Sequence, residues 1–346
     1  REEDDEGKKD RRQTYQLKTK DLPEDLGGLK RALEFHLRLL WLLLTGKAIP
    51  TDPEDAILCA FRAQFKTKKA LLAQSTSGRI LLSVKKVIGA AHLRKVSSRS
   101  KIVQHARKMD ETLILYIDTR IAMFGLSRWC PDLRQSAYSV YNQACRLIAL
   151  ETFRHAARSH AYAEFAPNLA YLDDMEFLIR LYDHIVHHYH FSRYTREINS
   201  PGVVQESEES NTAYRSRQRL GDARLAYMQM NSYDPLLFAL AEHGATSDDE
   251  EDPNERNVYH IRRRPERSTA ANTFIRDFDQ VRERNTRLDQ SKRWRERKRR
   301  VPSNQKDTSF PTLPQNMPID YFDPDFYNSL EASLRARIAI PEVALL

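Results

Sequence analysis

Apolar residues recur at three- and four-residue steps along most of this chain, and that spacing predicts helices. Leu29, Leu33, Leu37, Leu40 and Leu44 form one stripe between Pro23 and Gly46. Leu133, Ala137, Val140, Ala144 and Ile148 form a second behind Cys130-Pro131-Asp132, and Leu172, Phe177, Leu181, Ile185 and Tyr189 a third. The run 113–117 is apolar enough for a buried strand. Met109, Leu113, Ile117, Ile121 and Phe124 nevertheless keep helical spacing with no flanking turn residue, so a helix is expected. Asp52-Pro53-Glu54-Asp55 has the form of a helix start, with an N-cap Asp, Pro at the first helical position and acids against the macrodipole. Asp234-Pro235 opens a short helix that Gly244 closes.

After Gly244 the patterning changes. An acidic run, 248–252, reads as a hinge within 246–256, and 257–300 reads as one long basic helix. Four prolines in 301–318 predict an extended linker. Residues 319–346, with aromatics and acids interleaved around Asp323-Pro324-Asp325, predict a short helix that docks back on this chain. The fold class expected is mainly α: a multi-helix globular domain over 21–245, then a charged helical extension and a Pro-rich linker. Residues 1–20, charged and of mixed sign, are expected to form a disordered leader, and the missing initial Met suggests a piece cut from a longer chain.

Composition narrows the chemistry. Only 10 of 346 residues are Gly, which argues against glycine-rich phosphate loops, and three Cys without C-x-x-C spacing argue against a disulfide framework or a Cys-rich zinc module. The longest strongly apolar run, 39–44, is far short of the roughly 20 residues a membrane span needs, so no membrane partner is expected. No motif is specific enough to carry a family resemblance.

Charge is the most informative feature. The chain carries a formal net charge of +8, but the excess is blocked rather than spread. Residues 56–109 contain no Asp or Glu and thirteen Lys or Arg. Such a block keeps a positive field that interleaved acids would cancel, and it suits a phosphate backbone. Lys85, Lys86, Arg94, Lys95, Arg99, Lys101, Arg107 and Lys108 are its candidate contacts. The second block, 256–300, holds sixteen Lys or Arg against six acids and ends in Lys292, Arg293, Trp294, Arg295, Arg297, Lys298, Arg299 and Arg300. That terminal run has the form of a nuclear-import signal or a nucleic-acid arm, with Trp294 available for stacking. It places the chain in the nucleus; without it, the cytoplasm is expected.

Catalytic signals are sparse. His184 and His188 lie one helical turn apart, a spacing able to hold a metal, but Ile185 stands where a zincin would have Glu. Asp118 with Asp173, Asp174 and Glu176 suggests a two-metal cluster only if those acids converge. No nucleophile motif is present, so no cofactor and no catalytic residue is assigned. Ser97, behind Arg94-Lys95, and Ser247, ahead of an acidic run, have the form of kinase sites.

The expected function is non-enzymatic binding of nucleic acid, DNA or RNA, or of another polyanion, through 56–109 and 256–300. Two alternatives stand behind it. One is a helical scaffold for acidic protein surfaces, with the basic tail serving only for import; the other is a metal-dependent hydrolase or nuclease.

Overall fold

The computed structural model describes residues 15–18, 20, 22–288 and 297–346. The expected leader 1–20 lies almost wholly outside these residues, and Lys292, Arg293, Trp294 and Arg295 lie outside them too. The protein is mainly helical, as the periodicity predicts. Among the described residues no helix is long and apolar enough to cross a membrane. The chain divides into two compact units, 1–205 and 206–346, rather than near residue 245. The reason is that Leu240 and Ala245, on the expected boundary, are core residues of the second unit.

In the first unit, α1 (Gly27–Leu40) buries Leu29, Leu33, Leu37, Leu39 and Leu40 completely. Each such side chain contributes about 1.5–3 kcal/mol. There follow α2 (Asp55–Gln64), α3 (Lys68–Ser77), α4 (Ala90–Lys95), α5 (Lys101–Lys108), α6 (Glu111–Met123) and α7 (Val140–Arg158). The ambiguous segment 113–117 is helical, inside α6. Helix α8 (Met175–Asp183), a π-helical turn (His184–His190) and α9 (Phe191–Asn199) follow one another directly. One core joins these elements, and Trp41 and Trp129 are both fully buried in it.

Two helix starts differ from expectation. Asp52 does not cap α2, which begins at Asp55; its carboxylate accepts from Tyr194 Oη at 2.5 Å and pairs with Arg134. Asp132 does not open α7 either. Ser139 caps that helix at Asn142 N, and Asp132 instead closes a turn at Arg134 N.

In the second unit, α10 (Val203–Met230, its first residues in unit one), α11 (Phe238–Ala241) and α12 (Thr269–Leu288) are joined by a small sheet. Its strands are β1 (Asp249–Glu251), β2 (Val258–Ile261) and β3 (Lys298–Arg300), with β2 central, antiparallel to β1 and parallel to β3. The segments expected as an acidic hinge and one long basic helix are therefore largely strand, turn and a shorter helix. The physical reason is charge complementarity: the acids of β1 meet the arginines of β3 across β2. Arg299 pairs with Asp249 at 2.9 Å, and Arg297 with the same carboxylate at 3.0 Å.

The expected linker is also pinned. Lys306 O accepts from Arg263 N at 2.8 Å, and Thr312 O accepts from Arg264 Nη2 at 2.9 Å. Residues 319–346 pack within this unit, where Tyr321, Phe322 and Ile338 bury against Leu240, Ala245 and Ala271. A two-stranded pairing of β4 (Met317–Pro318) with β5 (Ala339–Ile340) ties them down, alongside α13 (Pro324–Ser329) and α14 (Ala332–Ile338). Their aromatics build an apolar core.

Candidate nucleic-acid interface

The two basic blocks meet opposite fates. In the first, twelve of the thirteen Lys and Arg are exposed, and Arg94 is half-buried. Among the described residues none of the thirteen has a carboxylate within ion-pair distance. Arg94 alone acts on an acid from further away, helping to hold the Asp110 carboxyl below its usual range after the hydrogen bonds from Thr112.

Local structure explains why these cations face outward. Helix α5 buries Ile102, Val103 and Ala106, which leaves Lys101, Arg107 and Lys108 on the solvent side. Ser100 caps it, accepting from Ile102 N at 3.2 Å. Helix α3 buries only Leu71 and is capped by Thr67 and closed by Gly78 at φ +69°. Lys68 and Lys69 sit in its first turn, and Lys101 in that of α5. Cations there oppose the helix dipole by about 0.3–1 kcal/mol each, a cost that an anionic partner would reverse.

Lys85, Lys86, Arg94 and Lys95, with one exposed acid, Glu111, line a groove of about 900 Å³ whose walls include Ile88, Ile114 and Leu115. Asp118 lies at its base, where it caps α4 from another helix: Oδ1 accepts from Ala90 N at 2.8 Å and Oδ2 from Ala91 N at 3.0 Å. Burial pushes the Asp118 carboxyl up, and those two N–H groups oppose the shift. A Cβ on Gly89 would stand 2.3 Å from Oδ1, so this approach requires glycine.

Among its described residues, the second block is largely engaged internally. Asp279 on α12 receives Arg224 at 2.6 Å and Arg299 at 2.8 Å, and Arg299 also reaches Asp249. Burial would raise the Asp279 carboxyl, but Arg224 and Arg299 hold it down at about 2. Arg297 pairs with Asp249 and lies over the Tyr259 ring at 4.0 Å. Arg300 pairs with Glu255 at 2.8 Å, Arg262 with Glu250 at 3.4 Å, and Arg264 with Glu266 at 2.5 Å, both of the last pair buried. Arg299 is thus a structural residue, and Arg297 and Arg300 are committed to carboxylates. Lys298 is exposed on β3.

The catalytic candidates separate. Asp118 is a cap. Asp174 caps α8, accepting from Phe177 N at 2.9 Å, while Asp173 pairs with Arg154 and Arg158. The rings of His184 and His188 stack at 5.4 Å, and His184 Nδ1 accepts from Leu17 N at 3.2 Å. Burial, aided by Lys30, lowers the His184 imidazole to about 4. Among the described residues no three His, Cys, Asp or Glu side chains gather as a metal site would require. Ser97 is exposed between α4 and α5, whereas Ser247 is buried and accepts from Arg267 Nη1 at 3.2 Å. Ser247 is therefore not presented to a kinase by the folded chain.

Residues 195–345 match a family model described as a domain of unknown function, DUF8263. The matched stretch takes in the ion-paired second unit up to Val343-Ala344-Leu345 and does not include 56–109. No curated protein and no solved structure matches the chain.

Proposed function

We propose that this protein binds nucleic acid, or a polyanion of like charge density, through the exposed cations of the stretch 56–109 in its first unit. One observation carries the reading: thirteen Lys and Arg over 56–109, nearly all exposed, have no carboxylate partner among the described residues. Isolated surface cations are ordinary, but thirteen without an ion-paired acid, with Glu111 the one exposed carboxylate in the groove lined by four of them, keep a positive field. A phosphate backbone docking there gains by releasing condensed counterions. Lys85, Lys86, Arg94, Lys95, Arg99, Lys101, Arg107 and Lys108 supply the contacts. Such contacts position a backbone and carry no base readout. In the second run Arg297, Arg299 and Arg300 serve carboxylates, while Lys292, Arg293, Trp294 and Arg295 lie outside the described residues and keep the reading of import signal or nucleic-acid arm; the nuclear setting belongs to this same proposal.

One observation favours a different partner. Ile88 and Leu115 stand 46 % and 56 % exposed beside the cationic rim. An acidic amphipathic protein segment would cover them, and a phosphate backbone would not.

Fluorescence anisotropy of labelled duplex DNA and of single-stranded RNA with the whole chain tests the reading. Binding that heparin competes away and an acidic peptide does not is the expected result. Absence of binding to either nucleic acid at low salt overturns it and leaves the acidic-protein reading in front.

A further inference from the structure

The first unit holds another cationic recess, which shares no lining residue with the groove over Asp118. It measures about 320 Å³, and Tyr116, Arg120, Glu151, Arg154, His155 and Arg158 line it. The last four lie on α7 at three- and four-residue steps, so they share one helix face. Arg120 reaches in from α6, 9 % exposed; its Nη1 donates to Ser75 O at 3.4 Å and its Nη2 pairs with Glu151. Glu151 is the single carboxylate of the lining, and Arg120 already engages it. The Tyr116 and His155 rings pack at 4.3 Å.

The two outer arginines retain donors. Arg154 gives Nε to Leu172 O at 2.7 Å and Nη2 to Asp173 at 3.2 Å, and Arg158 gives Nη2 to the same carboxylate. Nη1 of Arg154, with Nε and Nη1 of Arg158, has no partner among the described residues. The carboxylate that orients these two side chains is itself 75 % exposed, so it stands beside the recess as a competitor that water readily replaces.

We infer that this recess binds a phosphate monoester. Three guanidiniums against two carboxylates, Glu151 in the lining and the exposed Asp173 beside it, still leave a net positive site, and guanidinium forks match the oxygens of a tetrahedral dianion. The volume is that of roughly ten waters, enough for a phosphoryl group and a few further atoms. The phosphate can belong to a small ester or to the end of a nucleic-acid strand, and the chemistry at the arginines is the same. The inference is independent of the reading of 56–109, and phosphate binding here stands whether or not that face holds a polyanion.

The test is isothermal titration calorimetry on the whole chain with inorganic phosphate, ionic strength matched with chloride. Arg158→Gln should weaken binding about tenfold, the share of a charge-assisted contact. Asp173→Asn, which removes the competing carboxylate, should tighten it severalfold. Both positions are largely exposed, and circular dichroism confirms that each variant folds. Ribose 5-phosphate and a pair of oligonucleotides, 5′-phosphorylated and 5′-hydroxyl, identify the source. Preference for the phosphorylated strand end points to nucleic acid, and tighter binding of the sugar phosphate points to a small ester. Heats equal to the chloride control, or an affinity that neither variant moves, overturn the inference.

Discussion

Acid should destabilise the first unit before its carboxylates titrate, because buried imidazoles are held neutral. His36 is fully buried between Tyr162 and Thr152, with Nδ1 at 2.6 Å from Tyr162 Oη and Nε2 at 2.9 Å from Thr152 Oγ1. The Thr152 hydroxyl donates to Ile148 O at 2.7 Å, so Oγ1 accepts from Nε2–H and Nδ1 accepts from Tyr162. Burial lowers the His36 imidazole to about 3, with His105 adding to the effect. His190, in the π-helical turn against Trp41, is lowered to about 3 by burial and by Arg193 and Arg38. Both values lie below that of the unfolded chain, near 6.5. Their stabilisation is therefore complete above about pH 6.5 and is lost as pH falls towards the folded values.

Each group contributes a slope of about 1.4 kcal/mol per pH unit, and His184, held at about 4, adds a third of like sign, so the three remove at most about 6 kcal/mol between pH 6.5 and 5. Asp118 and Asp183, whose carboxyls burial pushes up, take on protons earlier in the folded chain and offset part of this. Against a total of about 5–15 kcal/mol the loss is large. Urea unfolding read by tryptophan fluorescence measures it. Trp41 and Trp129, both buried in this unit with centroids 5.3 Å apart, report the transition once Trp294→Phe removes the third indole. His190→Phe should remove up to about a third of the pH dependence. Stability that changes by less than about 1 kcal/mol over this range, or an equal fall in the variant, would refute the argument.

Other consequences concern single groups. Gly89→Ala forces a Cβ to 2.3 Å from Asp118 Oδ1 and should cost about 2–4 kcal/mol in urea unfolding by breaking the cap of α4. Asp279→Asn leaves Arg224 and Arg299 without their shared carboxylate and should cost the second unit about 3–5 kcal/mol, visible in thermal unfolding by circular dichroism. Ser97→Glu places a negative charge between Lys95 and Arg99 and should weaken DNA binding severalfold at low salt, with little change in melting temperature.

Helix positions were legible because each buried stripe repeats at helical spacing, and 113–117 resolves to helix for that reason. Cap identity was less legible. Asp52 and Ser139 look alike in sequence, and only packing decides that Asp52 meets Arg134 and Tyr194 while Ser139 caps α7. The second basic block misled because composition counts charges and not their partners. The acids of 248–252 lie next to it in sequence as an apparent hinge, yet fold across β2 onto Arg297 and Arg299. The first block also has acids beside it, Glu54 and Asp55 before and Asp110 and Glu111 after, but none of them folds into ion-pair distance of its cations, which stay outward. Arg154 and Arg158 carried a weak signal, two arginines one turn apart on a stripe-bearing helix. Arg120 carried none, because it enters the recess from another helix.

The central claim, that the exposed cations of 56–109 and not the ion-paired arginines of the second block contact phosphate, is tested most directly by the salt dependence of duplex binding. Lys85→Gln with Lys86→Gln should lower the slope of log K against log salt by about 1.8, the share of two phosphate contacts. Arg297→Gln with Arg300→Gln, whose side chains serve Asp249 and Glu255, should leave it unchanged. A slope that falls in the second pair and holds in the first would contradict the account.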